Sequence, residues 1–197
     1  MIDLILHWDK TLFLALNFDG GAVLDRFFWV VSGRLTWVPL YVLIITLLWR
    51  RYGWREALLA VVFIAVMVGA VDQACNFFKA TAGKLRPSHS PDLEGLVHLV
   101  KRPSTGGLYR GGLYGAVSAH AATTFAIMTF SSALVRARWF TVLTVIWTTL
   151  VAYSRIYLGV HYPLDILLGA LLGILAGVLF VKLYQLTTSR LQRRISS

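Results

Sequence analysis

The chain has 197 residues, 57% of them hydrophobic and 14% charged, against about 25% charged in an ordinary soluble domain. With a mean hydropathy of +0.68, this composition excludes a soluble globular enzyme and implies a single polytopic membrane domain over 1–197. A net charge of +10 would suit nucleic acid in a soluble protein, but these bases fall in loops between apolar runs. The partners implied are therefore the membrane bilayer and a phosphate ligand, with no nucleic acid.

Residues 2–17 interleave apolar groups with His7, Asp9 and Lys10. No basic lead precedes a clean apolar run, so no cleavable signal peptide is expected. The stretch is too short and too charged to span, and it reads as an amphipathic helix in the interface; with the turn at 17–21 it makes 1–21 an interfacial unit. A span needs about twenty apolar residues. Five stretches are read as spans: 27–49, interrupted by Arg34; 56–78; 118–135; 139–155; and Pro163 to about Tyr184. The expected fold class is all-α, a polytopic membrane bundle of five transmembrane helices plus the N-terminal interfacial helix. Between the second and third spans lies 79–117, the only long loop, polar and carrying Gly and Pro. Cys75, the single cysteine, excludes an intrachain disulfide, and its apolar surroundings predict a packing role.

Arg50, Arg51, Arg55, Arg136, Arg138 and the basic tail at 189–194 fall on one side of such a bundle, which the positive-inside rule makes cytoplasmic. The long loop and residues 154–165 then face outward. The expected location is the cytoplasmic (inner) membrane of a bacterium, with the site on the periplasmic side.

Three polar groupings meet on that outer face. The first, Lys79 with Arg86-Pro87, offers a point charge and a guanidinium fork that binds two phosphate oxygens at once; snorkelling helix-end cations would look the same. Lys84, between them, is expected to be a solvated neighbour. The second places Ser118 as N-cap of the third span with His120 in its first turn, where free N–H groups can hold an anion. The third is Arg155, His161 and Asp165. Pro163 suits the first position of a helix, so Asp165 falls in its first turn and can accept the Nδ1–H of His161, leaving Nε2 as nucleophile. An Asp that merely caps the fifth span is the alternative. No His and carboxylate cluster has metal-site spacing, and there is no Gly-rich loop before Lys-Ser or Lys-Thr and no Gly-x-Ser-x-Gly elbow. No metal or cofactor is implied, and the oxyanions must be balanced by Lys79, Arg86 and Arg155.

These groupings resemble the three signatures of the type 2 phosphatidic acid phosphatase superfamily, which holds lipid phosphatases and vanadium-dependent haloperoxidases. Lys-x6-Arg-Pro is matched by Lys79 to Arg86-Pro87, and Ser-Arg-x5-His-x3-Asp in full by Ser154-Arg155, His161 and Asp165. Pro-Ser-Gly-His appears as Val117-Ser118-Ala119-His120, keeping only Ser and His. The resemblance implies that His161 attacks phosphorus to give a phospho-histidine, Asp165 orients it and His120 protonates the leaving group. Lys79, Arg86, Ser118, the Ala119 amide and Arg155 would hold the phosphate oxygens. Alanine keeps the amide donor of the glycine, so a normal helical start at Ser118 is expected.

A site at helix ends suits a substrate with a lipid tail and a phosphate head. Undecaprenyl pyrophosphate and lipid A are favoured by the outward face; phosphatidylglycerol phosphate and phosphatidic acid are the other candidates. In the loop, His89, His98, Lys101, Arg102 and Arg110 either contact a substrate head or are solvated, and the glycine pairs at 106–107 and 111–112 make it a candidate lid. Two rivals are a lipid phosphotransferase using the same intermediate and a non-catalytic channel or transporter subunit. The second requires ionisable groups deep in the spans, where Asp72 alone qualifies. Nothing in the sequence sets an oligomeric state.

Overall fold

The structure, a computed structural model, describes residues 2–195, with side chains over 3–191. The described residues form seven α-helices and no strand: α1 (Ile2–Leu16), α2 (Gly21–Ser32), α3 (Val38–Tyr52), α4 (Trp54–Ala82), α5 (Ala119–Val135), α6 (Arg138–Tyr157) and α7 (Pro163–Ile195). Three, α4, α6 and α7, are long and apolar enough to cross a membrane. Their outward faces carry Val62, Val66, Ile146, Leu167, Leu171 and Leu175, all bare. A helix apolar on both its packed and its open face needs lipid around it.

The expected first span is broken. α2 and α3 meet at a bend of 73°, with a 3₁₀ turn at Leu35–Trp37 between them. Pro39 stands in the first turn of α3, where its ring excludes a helical carbonyl four residues back. The carbonyls freed at the end of α2 are taken by side chains: Thr36 Oγ1 donates to Val30 O at 2.6 Å and Trp37 Nε1 to Val31 O at 2.8 Å. The sequence reading noted Arg34 and passed over Pro39.

α5 is the hub, packed by α7, α6, α4 and α3. It has 17 residues, at the lower limit of what a span needs. Its contact with α7 rests on Gly169, Gly173 and Gly177, one face of α7 at four-residue spacing. A Cβ on Gly173 would stand 2.2 Å from Ala122 O, and one on Gly169 2.6 Å from Ser118 O. Small residues at this spacing let two helix backbones touch.

α1 is helical over the stretch expected to lie in the interface. Its bare side carries Leu4, Ile5, Trp8 and Leu12 beside Asp3, His7 and Thr11, while Asp9, Phe13 and Asn17 face inward. Asn17 Nδ2 donates to Ile156 O at 3.0 Å and Tyr157 O at 2.8 Å, covering the open carbonyls at the end of α6. Lys10 pairs with Asp92 at 2.5 Å. The helix is bolted through its polar groups to the end of the bundle where α6 stops and α7 starts.

Beyond the expected tail boundary near Tyr184, α7 continues to Ile195; the side chains of Gln192, Arg193 and Arg194 lie outside the described residues. The long loop is folded rather than slack. Two isolated bridges, Leu85 to Tyr114 and Lys101 to Leu108, close it on itself, and Ser88 N donates to Gly159 O at 3.0 Å, fastening it to the turn after α6.

Candidate active site

Four helix ends and the loop build the site. α4 ends at Gly83, whose φ of +58° is left-handed; its N–H donates to Lys79 O and the chain reverses. This delivers Lys84 and Arg86 across the end of the bundle. α5 begins as expected: Ser118 Oγ accepts the Ala121 N–H at 3.4 Å, and Ala119 is an ordinary helical residue. Among the described residues only Arg136 of the non-glycines has a positive φ, so the alanine at 119 is unstrained. Ser118 N donates to Asp165 O at 3.0 Å, which ties the start of α5 to the first turn of α7.

His161 is 1% exposed. Its Nδ1 lies 3.2 Å from both Gly115 O and Asp165 Oδ2. Both partners can only accept, so Nδ1 carries the hydrogen and Nε2 keeps its lone pair. Burial pushes the imidazole down to about 4, against the Asp165 hydrogen bond that raises it, and Arg86 and Arg155 press the same way as burial. At neutral pH the ring is neutral and nucleophilic. Gly115 is required where it stands, because a Cβ there would meet Arg86 Cγ at 2.7 Å.

The expected cations are gathered at this end but held differently. Arg86 Nε donates to Tyr114 O at 2.9 Å. Burial and the nearby Arg155 push its guanidinium below the ordinary arginine value. Arg155 is 3% exposed, donates to Ser32 Oγ and, at 3.0 Å, to Tyr109 OH, and leaves its buried Nε without a partner. Among the described residues no carboxylate lies within 4.0 Å of either guanidinium. Lys79 turns to Asn76 Oδ1 at 3.3 Å, and Asn76 in turn donates to Asp72; it still lies within electrostatic reach of Arg86 and Arg155. A buried Arg155 and a half-buried Arg86, repelling one another and with donors unspent, suit an anion.

Next to it is a cavity of about 250 Å³ lined by Trp29, Ser32, Tyr109, His120 and Arg155. His161 is not among its lining residues. Tyr109 stands edge-on to Trp29 at 5.2 Å. Burial alone would raise its phenol, but Arg155, Arg86 and Arg102 outweigh burial and draw it below the ordinary value. A second cavity of about 490 Å³ continues from His120 between α3, α4 and α5, past Tyr41, Ile64, Val68, Gly69, Asp72, Thr124 and Ile127. It is mostly apolar.

The sequence reading missed several residues. Lys84 is not a solvated neighbour: its Nζ donates to Asp165 Oδ1 at 2.8 Å and Asp9 Oδ2 at 3.3 Å. Burial acts against its charge, yet the two carboxylates outweigh burial and hold its pKa above the ordinary lysine value. Ser32 and Tyr109 fall in no motif; the polar Ser32 beside Gly33 and Arg34 in an apolar run was the available signal. His98 is engaged within the protein. It bonds Asp25 at 2.9 Å, and with Asp19 the three groups have atoms within 4.8 Å of one another. This is a His and carboxylate cluster that linear spacing does not reveal, its members set at 19, 25 and 98. Its Asp25 oxygen also accepts from Tyr157 OH at 2.7 Å.

The model of the PAP2 superfamily matches residues 57–189. The lipid A 4'-phosphatase of Bacteroides thetaiotaomicron is 36% identical over 194 residues, covering 98% of this chain and 84% of its own. The lipid A 4'-phosphatase of Porphyromonas gingivalis is 35% identical over 192 residues, 96% of this chain and 78% of its own. In fold, the chain is similar to the crystal structure of a transmembrane PAP2 type phosphatidylglycerolphosphate phosphatase from Bacillus subtilis. The TM-score is 0.67 at 20% identity, with 92% of this chain and 87% of that one covered.

Proposed function

The chain belongs to the PAP2 superfamily and is a membrane lipid phosphatase, and from that premise we propose that it removes a phosphate from lipid A on the outer face of the cytoplasmic membrane through a phospho-histidine. The observation that carries this reading is the pairing of an Nδ1-anchored, neutral His161 with two arginines, Arg155 buried and Arg86 half-buried, that have no carboxylate partner among the described residues. α2 with α3 serve as one broken crossing and α5 as another, giving five crossings with the site at their outer ends.

The phosphate settles between Arg86 and Arg155, with Lys79 and the first-turn amides of α5 completing the cradle. His161 Nε2 forms a bond to phosphorus while the P–O bond to the lipid breaks, its electron pair leaving on the lipid oxygen. His120, on the wall of the same cavity and in its imidazolium form beside the bound phosphate dianion, gives that oxygen a proton. Water then attacks the phospho-histidine, His120 takes the water's proton, and inorganic phosphate leaves with His161 restored. The Tyr109 loop moves off Arg155 to admit the head group, and the lipid chains lie along the apolar cavity below His120.

The test is phosphate release by purified protein, in EDTA, from lipid A, undecaprenyl pyrophosphate, phosphatidylglycerol phosphate and phosphatidic acid. Lipid A is expected to show the highest kcat/KM. Release from none of them refutes the enzyme, and a preference for another member of the panel refutes the substrate. Transfer of the phosphoryl group to an added alcohol in place of water would favour the phosphotransferase.

His161 must be neutral to attack, and burial sets its pKa at about 4. The acid limb of kcat/KM is therefore expected near pH 4, with activity lost below it as the imidazole takes a proton. An acid limb near pH 6.5, the ordinary histidine value, would contradict the buried setting.

Gly69 lines the apolar cavity and has open space where a Cβ would stand. Gly69→Phe fills that space without a backbone clash. It is expected to raise KM for lipid A about 10-fold, the worth of a few buried methylenes, and to raise KM for a short water-soluble phosphate ester far less. An equal rise for both would place the lipid chains elsewhere.

A further inference from the structure

Asp9 is 7% exposed on a helix whose other face is bare. Its Oδ1 accepts the Leu164 N–H at 2.8 Å, in the first turn of α7. Its Oδ2 shares the Lys84 ammonium with Asp165 Oδ1. That ammonium also sits 4.4 Å over the Tyr162 ring. Asp165 turns its second oxygen inward, where it accepts from His161 Nδ1 at 3.2 Å and from the Tyr162 N–H at 3.1 Å. Both carboxylates are buried, and an ammonium held between them offsets the cost of keeping both charged. Asn17 fastens the far end of α1 to the last carbonyls of α6. The segment that carries His161 is thus gripped from α1 at both its ends.

We propose that Lys84 and Asp9 are positioning residues for the nucleophile: Asp9, carried on α1, holds Lys84 against the outer oxygen of Asp165, and Lys84 fixes the charge and the aim of the carboxylate whose inner oxygen orients His161. This rests on the reading of His161 as the attacking group. Neither residue touches the phosphate. α1 is on this account part of the catalytic apparatus, and its role goes beyond attachment to the bilayer.

The charged and titratable groups around His161 are Asp165 on α7, Arg155 on α6, His120 on α5, and Arg86 and Lys84 on the loop. Removing Lys84 leaves Asp165 unneutralised beside the imidazole and brings two carboxylates into direct repulsion. Both effects favour protonation, so the acid limb moves to higher pH. Removing the charge of Asp9 frees Lys84 to neutralise Asp165 alone, and the limb moves to lower pH.

The experiment uses full-length protein in detergent micelles, with lipid A as substrate, and compares wild type, Lys84→Met, Lys84→Arg and Asp9→Asn. Lys84→Met is expected to lower kcat 10- to 100-fold, the cost of a misplaced reacting group, with KM little changed and the acid limb of kcat/KM raised by about one pH unit. Lys84→Arg is expected to restore both. Asp9→Asn, nearly isosteric, is expected to lower the limb. The His161 ring is followed in parallel by ¹⁵N NMR without substrate, its signal identified with His161→Asn, and should titrate in the same directions. If Lys84→Met does not fold, the direction of the Asp9→Asn shift and the Lys84→Arg values decide. If wild type releases no phosphate, the functional reading fails while the NMR titrations still decide the positioning role. Unchanged titration of His161 in folded Lys84→Met and Asp9→Asn proteins would overturn the proposal.

Discussion

His161→Ala is expected to cut phosphate release from lipid A by about 10⁴-fold or more, the loss typical of a removed nucleophile. Arg86 and Arg155 keep their places without the imidazole, being held by Tyr114 O, Ser32 and Tyr109. Phosphate binding should therefore survive better than turnover, and the deficit should fall on kcat. Asp165 loses one of its partners but keeps Lys84 and the Tyr162 N–H, so the fold should weaken by only about 1–3 kcal/mol. The measurement is single-turnover release together with acid-quenched ³²P labelling of the protein. Wild type should trap label on one histidine and the variant none. A variant within ten-fold of wild type, or one that still takes up label, would remove His161 from the role of nucleophile.

Gly173→Leu is expected to have the largest effect on the fold. Even a single Cβ at this position meets a backbone oxygen of α5 at 2.2 Å and the Ala126 N at 3.0 Å. Neither belongs to a flexible side chain, so the helices themselves must part. Overpacking that backbone must absorb costs at least about 3 kcal/mol, a large share of a typical net stability of about 5–15 kcal/mol. Because Ser118 N bonds Asp165 O across the same seam, parting α5 from α7 also pulls His120 away from His161. Expression level and thermal unfolding in detergent check this. A Gly173→Leu protein with wild-type Tm would show that the ridge is not the seam, whereas Gly69→Phe, with open space at its Cβ, should keep its Tm.

Much of the site is legible in the sequence because its members sit at fixed offsets from helix ends. Arg86 follows Lys79 across one helix terminus, Ser118 precedes His120 by two, and Asp165 follows His161 by four. Each offset is set by local geometry, so it survives as a pattern. What was not legible is long-range. Lys84 meets Asp9 across 75 residues and Asp165 across 81, and no local rule distinguishes that lysine from a solvated one. The inward stripe of α1 is long-range in the same way: Asp9, Phe13 and Asn17 recur at four-residue steps, and that stripe faces protein. The bend between α2 and α3 had a local signal, Pro39, that an apolar tally of 27–49 hides. Ser32 and Tyr109 had none strong enough, since what makes them part of the site is where Arg155 points.

The brevity of α5 is hidden from the bilayer. At 1.5 Å per residue its 17 residues reach about 26 Å, against a hydrocarbon core of about 30 Å, while α4 and α7 on either side exceed that thickness. The hub is short where its neighbours are long, yet none of its residues is exposed. α3, α4, α6 and α7 sheathe it, so the lipid film is matched to those helices and never meets α5.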